Sequence, residues 1–238
     1  MSYAYEEAYG LVSEQSSEVR AAFIRRTYAH LAGAILAFVG IETALFQAGL
    51  AVPVTRYLLQ FGQLGWLGVL LLFIAAGWIA QSWAHNATSR GMQYAGLALY
   101  VVVEAIIFLP LLTIAVYYVR DPTVLPTAAI LTLGIFGGLS TAVMVTKRDF
   151  SFLAPILSIG FFVALGLIVC AVLFEFQLGL LFSFAMVALA SGAIIYTTSQ
   201  IMLYYRTDQH VGAALELFAA VALLFWYVLR ILIAVSRE

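Results

Sequence analysis

Seven times along this chain, roughly twenty residues pass with almost no charge, about the length an α-helix needs to cross a bilayer. The stretches run at about 28–49, 63–84, 93–117, 127–146, 153–174, 178–198 and 212–235. Nothing else in the sequence constrains the fold as much. In hydrocarbon a backbone must satisfy its own hydrogen bonds, so each stretch is expected to be a helix. Composition agrees: of 238 residues, 64% are hydrophobic and 10% charged, against about 25% charged in a soluble domain. The expected fold is an all-α membrane protein, a seven-transmembrane-helix bundle over residues 21–238 behind a polar, solvated tail at 1–20. That tail has no short apolar core near Met1, so no cleavable signal peptide is expected.

The last stretch, Gly212 to Val235, is expected at the centre of the bundle. It carries Glu216 and Arg230 inside an otherwise apolar run, and such charges must face protein or water. At about 1.5 Å per residue the two lie about 21 Å apart along the helix axis and cannot pair, although four turns put them on one face. Two more carboxylates, Glu42 and Glu104, lie within the first and third stretches. Counted from the cytoplasmic end, Glu42 is about 22 Å deep, Glu104 about 18 Å, Glu216 about 8 Å and Arg230 about 28 Å. Depth therefore predicts that Arg230 pairs with Glu42 or Glu104. It places Glu216 nearer Lys147, Arg148 and Arg206. These four intramembrane charges are the candidate functional residues, as a gate or proton-sensitive latch, with structural pinning as the alternative.

Orientation follows from the cations. With the N-terminus in the cytoplasm, Arg20, Arg25, Arg26, Arg90, Lys147, Arg148 and Arg206 lie inside, and Arg56, Arg120 and Arg237 outside. Seven against three predicts the N-terminus inside and the C-terminus outside. The turn at Glu175 to Gln177 makes the fifth and sixth helices antiparallel neighbours. Gly134 and Gly138 form a GxxxG pair suited to close helix packing, and Gly62, Gly65 and Gly68 line the start of the second span. Pro110 is expected to kink or end regular hydrogen bonding, whereas Pro155 falls in a first turn, where proline is tolerated. His30, His85 and His210 sit near span ends, as interfacial residues or pH sensors.

Several chemistries are excluded. Net charge is −1, which argues against a nucleic-acid partner. There is one cysteine, Cys170, so no internal disulfide can form. No HExxH or phosphate-binding loop occurs, and no cofactor or metal is expected. Asp121, Asp149 and Asp208 all lie in loops, so there is no intramembrane aspartyl dyad. Ser191 has no histidine at its depth, and the lone lysine, Lys147, is in a loop. The sequence carries no recognisable enzyme motif. Asn86-Ala-Thr88 matches a glycosylation sequon but falls on the inner side.

The segment Thr146-Lys147-Arg148-Asp149-Phe150-Ser151-Phe152-Leu153 resembles the TKKDFSFL loop of the transmembrane Bax inhibitor motif family. Ile195-Tyr196-Thr197-Thr198-Ser199-Gln200, Ala214 to Phe218, Leu229 to Leu232 and Phe23 to Tyr28 are also similar to that family. The resemblance implies helices wrapped around the seventh and a non-enzymatic protein of the bacterial inner membrane. It further implies a role in membrane-protein quality control or stress response, as in the FtsH-modulator branch, with a membrane protease or other membrane protein as partner. Other members are calcium leaks with an aspartate pair. This chain has Thr197 and Ala220 at those positions, and the basic residue that latches the pair falls at Ala87, with Arg90 as the alternative. A calcium or proton leak through Glu42, Glu104, Glu216 and Arg230 is the second expectation, and a small-solute permease the third. In the loop itself, Asp149 or Ser151 is expected to cap the fifth span.

Overall fold

A computed structural model describes residues 10–60, 62–86 and 89–236. The latch position Ala87, the sequon residue Thr88, Arg237 and the first part of the predicted tail lie outside these ranges. Among the described residues the chain forms eight helices: α1 Ser17–Gln47, α2 Ala51–Leu59, α3 Gly62–Ala84, α4 Arg90–Tyr117, α5 Val124–Thr146, α6 Leu153–Leu173, α7 Leu180–Leu203 and α8 His210–Val235. Seven of them, all but α2, are long and apolar enough to cross a membrane.

The last helix is central. α8 packs against α1, α3, α4, α5 and α7, and buries residues on every side from Val211 to Ile233. α4 is the second core element, burying Gln93 through Ala115 along most of its length. α6 is outermost and buries only Ala164, so its uniformly apolar surface is left for lipid. α6 and α7 pack together across the short turn, as expected for antiparallel neighbours.

Several elements depart from expectation. α1 begins eleven residues before the first apolar span, at Ser17, with the Ser16 hydroxyl accepting from the Val19 amide. Its buried stripe of Phe23, Thr27, Leu31, Ala34, Phe38 and Glu42 recurs every three or four residues, which is the helical period. The predicted solvated tail is corrected at its C-terminal part. Val12 is fully buried, its amide donates to the Tyr205 carbonyl, and Ser13 donates to the Leu203 carbonyl. α2 falls in what the sequence places in a connection. Nine residues are too few to span, yet Ala51 and Thr55 recur at helical spacing and are buried. Thr55 hydrogen-bonds Thr113 of α4 at 3.0 Å. Pro110 neither ends nor interrupts α4, which continues for seven more residues to Tyr117.

The GxxxG expectation is also corrected. A methyl group added at Gly134, Gly137 or Gly138 would meet nothing within 4 Å. Close approach occurs at Gly96 of α4, where a Cβ would strike the backbone of Ala80 and Ala84 on α3.

Candidate functional site

The polar groups inside the bundle lie toward its two ends, with Glu104 among the aromatic rings between them. The inner layer gathers around the first turns of α8. His85 follows the end of α3, and its Nδ1 lies 2.9 Å from the Gln81 carbonyl. A carbonyl only accepts, so Nδ1 carries the proton. Its Nε2 lies 3.2 Å from Glu216 Oε1. With Nδ1 committed as donor, one further proton must sit between imidazole and carboxyl, whichever group formally holds it. The hydrogen bond to Glu216 raises His85 above its ordinary value, partial burial opposes that, and the bond to Gln81 adds to it. Tyr205 packs beside the couple, its ring 6.3 Å from that of His85, and burial followed by the Glu216 charge raises its phenol. Gly212 makes room for the ring: a Cβ there would lie 2.9 Å from His85 Nε2.

His30 and His210 meet on another side of α8. Their rings are 5.0 Å apart. His30 Nδ1 lies 2.7 Å from the Arg26 carbonyl and its Nε2 lies 2.9 Å from the Tyr94 hydroxyl. All three histidines of the chain therefore surround the start of α8. The sequence signal was present, since each stands near a span end, but their convergence depends on which helix faces which.

Glu216 is thus partnered by His85. The predicted neighbours Lys147 and Arg148 are exposed and form no ion pair among the described residues. Arg206 pairs instead with Asp208 at 3.7 Å. The Lys147–Ser151 loop has a structural task. The Phe150 amide donates to Ser199 Oγ at 3.0 Å, and Ser199 donates to the Arg148 carbonyl at 3.2 Å. Gln200 donates to Ser151 at 2.9 Å, and Tyr204 donates to Asp149 at 2.6 Å. Two stretches singled out for the same resemblance, 146–153 and 195–200, hold each other. Asp149 accepts from the amide and hydroxyl of Ser151, closing the turn ahead of α6. The N-cap residue of α6 is Phe152, so the expected side-chain cap is corrected. Hydrogen bonds from Ser151 and Tyr204 hold Asp149 below its ordinary value.

Beyond this layer aromatic rings pack across the bundle core. Phe38 of α1 meets Phe108 of α4 at 5.1 Å and Phe218 of α8 at 6.2 Å. Phe108 also meets Trp226 edge-on at 5.0 Å, and Tyr100 meets Phe218 at 6.1 Å. Thr197 and Ala220, each 6% exposed, are packed in the interior. Ser140 and Thr198 form a weak hydroxyl contact at 3.5 Å, with the Tyr28 hydroxyl nearby.

Glu104 is buried within the aromatic layer, one turn from Tyr100 and one from Phe108. Glu42 is buried with neither carboxyl oxygen hydrogen-bonded. The predicted pairing of Arg230 with Glu42 or Glu104 is corrected. The Arg230 guanidinium donates to the Leu178 carbonyl in the turn before α7, and it enters no ion pair among the described residues. Depth along the helix was the only basis for that pairing. Direction around the axis decides it, and Arg230 faces the α6–α7 turn.

Among the described residues no three histidine, cysteine or carboxylate side chains are placed to hold a metal. A family model described as "Inhibitor of apoptosis-promoting Bax1" matches residues 20–237. A Pseudomonas aeruginosa protein, described as uncharacterized, is 31% identical over 123 residues, which covers 51% of this chain and 55% of that protein. The match spans about half the length of each.

Proposed function

Since the chain belongs to the Bax1-inhibitor family of multi-pass membrane proteins, we propose that it is a non-enzymatic modulator of membrane-protein quality control or stress response. It acts in the bacterial inner membrane through helix contacts with a membrane protease or another membrane protein. Its N-terminus is cytoplasmic and its C-terminus outside, following the cation bias. The observation that carries this reading is the packing at Thr197 and Ala220, buried at 6% exposure each. Where calcium-leak relatives are expected to place an aspartate pair, this bundle has a hydroxyl and a methyl packed in its interior. A modulator needs a packed bundle and an outward contact surface. The lipid-facing α6, with Phe161 and Phe162 exposed, supplies such a surface.

One observation favours a second reading, a calcium or proton leak. Among the described residues, buried oxygens of Thr27, Glu42, Gln93 and Thr132 have no hydrogen-bond partner. Buried polar groups of that kind call for internal water, and a file of water is what a leak needs. The two readings separate in proteoliposomes. The modulator reading expects calcium and proton flux no greater than in empty liposomes from about pH 5 to 8, across the histidine range. Flux that Glu104→Gln or Glu216→Gln abolishes would establish the leak instead. In cells, the modulator reading expects the full chain to co-purify with a membrane protease and its overproduction to lengthen substrate half-lives. Absence of both effects would overturn it.

A further inference from the structure

Arg26 of α1 and Arg90 at the start of α4 are exposed, and among the described residues neither has an ion-pair partner. Each stands one helical turn before a member of the His30–Tyr94 hydrogen bond, His30 meets the His210 ring, and Asp208 lies two residues before His210. That carboxylate is already engaged by Arg206. Two arginines and two histidines thus gather where α1, α4 and α8 pack together. The His30–His210 contact at 5.0 Å and the His30–Tyr94 hydrogen bond join the three helices there. The buried Nδ1 of His210 has no hydrogen-bond partner. Arg26 and Arg90 carry like charge with no ion-pair partner among the described residues, so an anion placed between them is favoured.

The surroundings identify the kind of anion. Tyr94, 47% exposed, stands one turn from Arg90 on the same face of α4. α1 and α4 are membrane-spanning helices, and their residues 26–30 and 90–94 lie at the ends of the apolar spans. Charge and exposed apolar surface therefore meet at one depth, the level of lipid headgroups. The geometry points to a headgroup site for an anionic phospholipid. Arg26 and Arg90 hold the phosphate by charge-assisted hydrogen bonds, and Tyr94 lies along the acyl chains. The site is separate from the His85–Glu216 couple and requires neither the modulator nor the leak reading. Only its assignment to the cytoplasmic leaflet rests on the proposed orientation.

The test uses the full chain purified in neutral detergent micelles doped with phosphatidylglycerol or phosphatidylcholine. Bound lipid is counted by native mass spectrometry and the melting temperature is followed. Phosphatidylglycerol is expected to be retained and to raise the melting temperature, and phosphatidylcholine is not. Arg26→Gln and Arg90→Gln should each weaken retention about fivefold. Arg56→Gln, on α2, should leave it unchanged. Equal retention of the two lipids, or undiminished phosphatidylglycerol binding in both arginine variants, overturns the site. Equal stabilisation by millimolar inorganic phosphate without lipid overturns the lipid assignment. Should the variants fail to fold, wild type still decides. Retention must weaken as salt shortens the screening length, and salt-independent retention counts against the proposal.

Discussion

A single proton links two residues that lie 131 positions apart in the chain, His85 and Glu216. The Gln81 carbonyl fixes the tautomer of His85, so its second nitrogen can meet Glu216 favourably only with a proton between them. Because the hydrogen bond to Glu216 raises His85 above the ordinary histidine value of about 6.5, its contribution to folding is fully present below that value. It is lost as pH rises through the raised one. The melting-temperature gap between wild type and Glu216→Gln should therefore be widest near pH 6, by the reference value of histidine, and narrow toward about pH 9. A gap that grows with pH would contradict the couple. Gly212→Ala belongs to the same scale. Its Cβ would lie 2.9 Å from the imidazole, and relieving that clash should cost about 1–3 kcal/mol. A thermal melt should show the loss, with the pH dependence of the gap flattened as well.

Among elements, the interfaces use small residues where backbones meet, and sequence spacing alone does not say where that is. The Gly134-xxx-Gly138 pair faces open space, whereas Gly96 sits against α3. Gly134→Ala combined with Gly138→Ala should leave detergent stability within about 0.5 kcal/mol of wild type. Gly96→Leu should separate α3 from α4 at a cost of about 1–3 kcal/mol or more. Equal sensitivity at the two sites would show that the Gly134 face is covered in the membrane. The α5–α6 loop is a second element-scale device. Ser199 both accepts from the Phe150 amide and donates to the Arg148 carbonyl. Ser199→Ala should cost about 1–3 kcal/mol by leaving a part-buried amide unsatisfied, measured as easier proteolysis at Lys147 and Arg148.

At the scale of the molecule, polar ends flank an aromatic middle. Phe38, Phe108, Phe218 and Trp226 join α1, α4 and α8. They lie between the histidine-rich end at the start of α8 and Glu42. The orientation of this stack is open to direct measurement in a Cys170→Ala background. In intact cells a membrane-impermeant thiol reagent should label Arg56→Cys, and should reach Lys147→Cys only after lysis. The reverse pattern would invert the topology and move the proposed headgroup site to the other leaflet.

The sequence by itself determined the helices, because the bilayer allows a long apolar segment so few backbone solutions. Seven spans and the family to which the chain belongs were legible from runs of residues and short motifs. The centrality of the last helix was inferred from its buried charges, and its packing against five other helices bears that out. α2 was not legible, since nine half-apolar residues lie below any spanning length. Nor was the docking of Val12, whose burial depends on the α7–α8 connection nearly two hundred residues away. Only the tertiary structure decided the partners of the buried charges. Depth follows from counting residues, but contact requires knowing which way each helix is turned. Arg230, counted toward Glu42 and Glu104, faces Leu178, and Glu216, counted toward the basic loop, meets His85. Rotation about the helix axis is set by the packing of whole faces, and no single residue carries that information.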